Sequence, residues 1–186
     1  MTADERNKVA KLTDYFIDTG LSKEEVKASI SIGDPITRER EFIEMGNCVN
    51  SKSLDNRLAV FILIETMKQL QHVEVPYDVY GVFTVQEEVG IRGANVSALK
   101  INPDFGFGLD TTIAFDLPGA AEYEMITKLG EGTAIKIMDA SAICDYRMVD
   151  YMKKTAEKHA IKWQPEILTA GGTDTAGIQR MSQGGA

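Results

Sequence analysis

The chain has 186 residues, 44% of them hydrophobic and 26% charged, which suits one ordinary domain with a real core. Its formal net charge of −8 excludes nucleic acid and anionic lipid as main partners, because both require a basic face. No apolar stretch approaches the roughly 18–20 residues of a membrane-spanning helix, and the charged opening Met-Thr-Ala-Asp-Glu-Arg-Asn-Lys has no apolar signal-peptide core behind it.

The first part of the chain is polar and choppy. Lys11 to Ile17 reads as a strand. Ser22, with Glu25 three residues on, forms a capping box that opens a helix. Gly33-Asp34-Pro35 is a turn, and a further short strand is expected through Phe42. This is the pattern of a small β-rich module with one helix, assigned to residues 1–45. The character changes near Gly46-Asn47, and residues 46–186 alternate helix and strand signals. Leu54 to Leu70 is apolar around most of its circumference, as a helix buried between a sheet and another layer would be. Pro76 precedes Tyr77 to Val85, a β-branched and aromatic run expected to be a buried strand. Gly90 to Lys100 reads as a turn and helix, and Phe105 to Leu109 and Ala134 to Met138 as short strands. Asp145 to His159 carries a helical stripe at Tyr146, Val149, Met152 and Ala156. Ile161 to Leu168 returns to strand. Gly171-Gly172 is a loop, after which Thr173 or Asp174 caps a last helix. Helices alternating with buried strands imply an α/β fold, a three-layer αβα domain on a mixed sheet. Cys48 and Cys144 lack metal-site spacing and are expected to be free thiols in the cytoplasm.

Ligands of open α/β sheets bind at the ends of the strands, so acids that punctuate apolar elements are the candidates for chemistry. Asp55 stands at the start of the apolar helix, where a carboxylate also serves as a cap. Glu87 and Glu88 end the run from Tyr77. In extended backbone such neighbours point to opposite sides, so the pair can divide two tasks. Asp110 ends Phe105 to Leu109. Taken singly, each has a bland reading as a cap, a solvated loop or a turn former. Together they offer hard oxygen donors from several element ends, which is what a divalent-metal site requires.

These residues lie in Ser-Leu-Asp-Asn-Arg (53–57), Phe-Thr-Val-Gln-Glu-Glu-Val-Gly-Ile-Arg-Gly-Ala (83–94), Gly-Leu-Asp (108–110) and Gly-Gly-Thr-Asp (171–174). In that order they resemble the glutamyl-aminopeptidase and deblocking, or tetrahedral, aminopeptidase family of dinuclear metallopeptidases, from about Tyr15 onward. The resemblance implies a peptide substrate, two divalent metal ions (zinc or cobalt) and attack by a metal-bridging hydroxide. It implies Asp55 as the bridging ligand, Glu88 and Asp110 as ligands to one ion each, and Glu87 as general base. It also implies a homo-oligomer in the intact family member, with residues 1–45 as the remnant of an inserted assembly module.

Two features depart from the pattern. The family's upstream His-x-Asp motif is absent, and so is the histidine that follows its Gly-Gly-Thr-Asp loop. His72 and His159 match neither position and are expected on the surface. The expectation is therefore a chain truncated at both ends, with a weak metal site and low or no activity. The alternatives are an inactive or split family member that acts as a binding or assembly partner, and an N-acyl amino acid deacylase with a similar metal core. A glycosidase is disfavoured, because adjacent glutamates would not face each other across a sugar.

Overall fold

The structure is a computed structural model that describes residues 9–183; the first eight residues of the expected N-terminal module and the last three of the chain lie outside them. The chain divides into two units after Arg40.

In the first unit Ser22 caps helix α1 (Lys23–Ser29) as its sequence foretells. Its hydroxyl accepts from the Glu25 amide at 3.3 Å, and Glu25 reaches back to the Ser22 amide at 2.8 Å. The strand expected over Lys11 to Ile17 is instead a short 3₁₀ turn, Leu12–Asp14. The Asp14 carboxylate accepts from the Lys11 amide at 2.9 Å, a local bond that competes with a ladder. No side chain of either element is buried.

The second unit opens with an antiparallel hairpin of β1 (Ile43–Met45) and β2 (Cys48–Asn50), in which Met45 pairs with Cys48 around a Gly46-Asn47 turn. The short strand expected through Phe42 does not form: residues 35–42 carry no strand, and the first strand begins at Ile43. Helix α2 (Leu54–Leu70) has the predicted limits but not the predicted burial. Ala59 is its only buried residue, and Leu58, Phe61 and Ile62 remain exposed, because no other helix or strand among the described residues packs closely along it. Tyr77 to Val85 and Phe105 to Leu109 do not become strands of a sheet. Their side chains suit β structure, but a strand exists only with a ladder partner, and neither run finds one in the described sheets.

The packed part is a βαβ unit. Strand β3 (Thr133–Met138) runs parallel to β4 (Trp163–Ile167), with α4 (Tyr146–Lys158) between them in sequence. Asp145 caps α4 by accepting from the Arg147 amide at 2.8 Å, as the stripe and its polar start foretell. Ile135, Val149 and Ala156 form its core, with Ile137, Cys144 and Trp163 packed on it. A second core joins α3 (Arg92–Ile101) to α5 (Asp174–Met181) through Ala94 and Ala176, with Ile91 and Ala142. The contact is close because the residues are small: a Cβ on Gly177 would stand 2.9 Å from that of Ala94. The class is α/β as expected. Both cysteines are free, and both histidines lie on the surface. No helix among the described residues is long and apolar enough to cross a membrane.

Candidate active site

Asp55, Glu87, Glu88 and Asp110 come from three separate segments and line one cavity of about 460 Å³. Gly90 and Ile91, the Thr111–Ile113 stretch, Lys136, Leu168 and the loop Gly171–Thr173 complete its wall.

Asp55 is not yet in helical geometry. It and Asn56 precede the regular part of α2 with φ/ψ of −82/108° and −120/39°, which sets the Asp55 side chain apart from the helix surface. Asn56 ties this corner to the next acid: its amide nitrogen donates to Asp110 Oδ1 at 2.9 Å and to the Leu109 carbonyl at 3.0 Å. The Thr111 amide donates to the same Asp110 oxygen at 2.8 Å. The glutamate pair is not extended as its sequence suggested. Gln86 takes a left-handed φ of 58°, Glu88 enters a turn, and the amides of Gly90 and Ile91 close on the Glu87 carbonyl at 3.0 and 2.8 Å. The two carboxylates therefore reach one cavity instead of diverging to opposite faces. This turn needs Gly93, where a Cβ would lie 2.5 Å from the Val85 nitrogen.

The acids repel one another. Burial pushes the Glu87 carboxyl up, and the charges of Asp110, Glu88, Asp174 and Asp55 add to the effect. Asp110 keeps much of its surface open, yet the packing around it desolvates the carboxyl. With the charges of Asp55 and Asp174 this pushes it up to about 6, against the Thr111 amide and Lys136. A cluster in this state favours cations.

Four residues to which the sequence reading gave no part in the chemistry join the site or back it. Asp174 opens α5, and its charge reaches both Glu87 and Asp110; one of its oxygens accepts from the Thr84 hydroxyl at 2.5 Å, and the other is buried without a partner. Lys136 lies opposite Glu166 in the β3–β4 register and pairs with it at 2.8 Å, and with Asp139 at 3.4 Å. The Asp139 carboxylate is fully buried and also accepts from the amides of Ser141 and Ala142 at 2.8 and 2.9 Å. The signal for this network was a lysine and a glutamate inside two short apolar strands, since buried charges must pair.

As a test for metal, the donors fit in kind and in charge: hard oxygens, mutually repelling, and uncompensated except by a lysine already committed to two other carboxylates. They are splayed, and among the described residues no three His, Cys, Asp or Glu side chains converge at metal-holding spacing.

An acid-lined cavity of this kind, at the ends of the elements of an α/β domain, is the arrangement of a hydrolase centre. The M42 glutamyl aminopeptidase family matches the chain over residues 1–186, and the protein belongs to that family. A putative aminopeptidase of Acetivibrio thermocellus is 37% identical over 175 residues, covering 94% of this chain and 52% of the relative. An aminopeptidase from the archaeon Desulfurococcus kamchatkensis superposes with a TM-score of 0.91 at 39% identity, over 100% of this chain and 53% of that one. The Pyrococcus horikoshii TET1 peptidase, which can assemble into a tetrahedron or a large octahedral shell, matches at a TM-score of 0.61 and 33% identity, over 77% of this chain and 42% of that one. The chain thus spans about half the length of the curated relative it matches.

Proposed function

We propose that the protein is a metal-dependent aminopeptidase that removes residues from the N-termini of peptides. In this reading Asp55, Glu88 and Asp110 would hold two divalent ions, zinc or cobalt. Such ions would supply Lewis-acid polarisation of a peptide carbonyl and a more acidic bound water.

The chain's own groups do the rest. Glu87 stands half-buried with its carboxyl raised, the state of a group that takes a proton from water and returns it to the leaving amine. Asn56 fixes the Asp110 oxygen it donates to. The negative potential of the cluster receives the substrate's α-ammonium. The single observation that carries this reading is the meeting of four carboxylates from three segments in one cavity, where Lys136 is the only cation of the lining among the described residues.

The test is cleavage of leucyl and glutamyl anilides by the cobalt- or zinc-loaded chain, compared with Glu87→Gln and with N-acetyl amino acids as the deacylase control. Metal-dependent anilide cleavage lost in Glu87→Gln supports the proposal. Cleavage indifferent to Glu87, or confined to the N-acetyl compounds, overturns it.

The same reading makes residues 1–45 part of an assembly module and 46–186 part of the catalytic domain, and makes the working protein a cytoplasmic homo-oligomer. The assemblies described for the Pyrococcus horikoshii relative support that last point.

A further inference from the structure

The cavity lining holds four carboxylates, Asp55, Glu87, Glu88 and Asp110, and, among the described residues, one cation, Lys136. Lys136 does not reach the cavity as a loose surface side chain. The β3–β4 register sets it opposite Glu166, and the turn after β3 brings Asp139 to its other side. The side chains of those two acids are 4% and 0% exposed, whereas that of Lys136 keeps 18%. Its remaining exposure belongs to a residue of the cavity wall.

An ammonium has three N–H donors, and ion pairs with two acids, at 2.8 and 3.4 Å, do not exhaust them. Two carboxylates around one ammonium also leave the group net negative. It therefore repels a second anion while still offering a strong donor to a neutral acceptor. A peptide N-terminus carries complementary features in sequence, first a cationic α-ammonium and then a neutral carbonyl oxygen. The acids suit the first and Lys136 the second.

Building on the aminopeptidase reading, we propose that Lys136 is a substrate-binding residue that donates to a main-chain carbonyl oxygen and so sets the direction in which the peptide enters the cavity. Glu166 and Asp139 are positioning residues that hold the ammonium in the wall.

The experiment compares two small probes by equilibrium binding to the full chain: leucinamide, with an ammonium and a carbonyl, and 3-methylbutylamine, with the ammonium alone. Lys136→Met by itself would strand the buried Glu166 charge. The test variant is therefore Lys136→Met/Glu166→Gln, with Glu166→Gln as the control that retains the ammonium. The unsubstituted chain should bind leucinamide about tenfold more tightly than the amine, the size of one charge-assisted hydrogen bond, and Glu166→Gln, which keeps the ammonium but loses one of its two anchors, should retain part of that preference. In the double variant that ratio should fall to near one with amine affinity unchanged. An unaltered ratio overturns the Lys136 assignment alone; failure of either probe to bind the unsubstituted chain removes the aminopeptidase reading together with it. A second measurement needs no variant. The Lys136 ζ-ammonium resonance should move on addition of leucinamide and stay in place with the amine, and a resonance unmoved by saturating leucinamide also overturns the assignment.

Discussion

Two groups of carboxylates, one lining the cavity and one buried beside Lys136, behave in opposite ways. Asp139 and Glu166 are buried in the βαβ unit and answered: Lys136 pairs with both, and Asp139 collects donors from Ser141 and Ala142. Asp55, Glu87, Glu88 and Asp110 line the cavity, where burial raises Glu87 and Asp110 and the charges of neighbouring acids add to it. Buried acids with partners contribute to a stable fold. Acids gathered without partners cost stability, and they are kept where a ligand or a reaction uses them. The first group should respond to mutation through stability and the second through activity.

The largest expected effect is on the cavity side. Glu87→Gln keeps the shape of the side chain and removes its basicity, and should lower the hydrolytic rate of the metal-loaded chain by about 10³-fold. Its thermal unfolding midpoint should stay level or rise, because one member of a repelling cluster is neutralised. A large drop in the midpoint would place Glu87 with the structural acids and erase the contrast. By contrast, Asp139→Ala should cost about 2–3 kcal/mol in denaturant unfolding, since it leaves the Ser141 and Ala142 amides without their acceptor and Lys136 with one acid instead of two. A loss below about 0.5 kcal/mol would mean that the network is not a stability element.

Gly93→Ala probes the join between fold and site. The added Cβ meets the Val85 backbone and must shift the turn that carries Glu87 and Glu88. A destabilisation of about 2 kcal/mol is expected, together with slower hydrolysis. Retention of full activity would show that the turn has room to move without displacing the acids.

How far the sequence foretold this contrast depends on what each feature needs. Capping boxes and helical stripes are local, so α1, α2 and α4 could be read from their own residues. Acids that end apolar runs are also local, which is why Asp55, Glu87, Glu88 and Asp110 stood out. Pairing is not local. Tyr77 to Val85 has the side chains of a strand but no ladder partner in the described sheets, and α2 has the composition of a buried helix without a covering layer. The Lys136–Glu166 pair depends on a parallel register spanning thirty residues of chain, so neither residue announces the other. Asp174 was visible as a helix start, and its charge on Glu87 and Asp110 emerged only from the fold.

The finest distinction between the two groups is in the sign of their pH dependence. Asp110 titrates near 6 in the fold and near 3.9 in an unfolded chain. Between those values the folded protein binds the extra proton, so this group favours folding below about pH 4 and loses that contribution as pH rises through 6. Asp110→Asn retains an oxygen for Asn56 and Thr111 but does not titrate. It should therefore be more stable than the parent at pH 7.5, by on the order of 1 kcal/mol after solvent screening, and should lose that advantage progressively as pH falls through 6 towards 4. Asp139 should do the reverse. Burial would raise its carboxyl, but the Ser141 hydroxyl and amide, Lys136 and the Ala142 amide outweigh burial and hold it below the ordinary value. Its stabilisation is present above the unfolded pKa and is lost as pH falls through the depressed folded one. Asp139→Asn should thus be less stable than the parent at pH 7.5 and approach it in strong acid. Urea unfolding of both variants at a series of pH values reads the two signs directly. Slopes of the same sign would show that the two sets of acids are not electrostatically distinct, and the division between structural acids and reactive ones would fail.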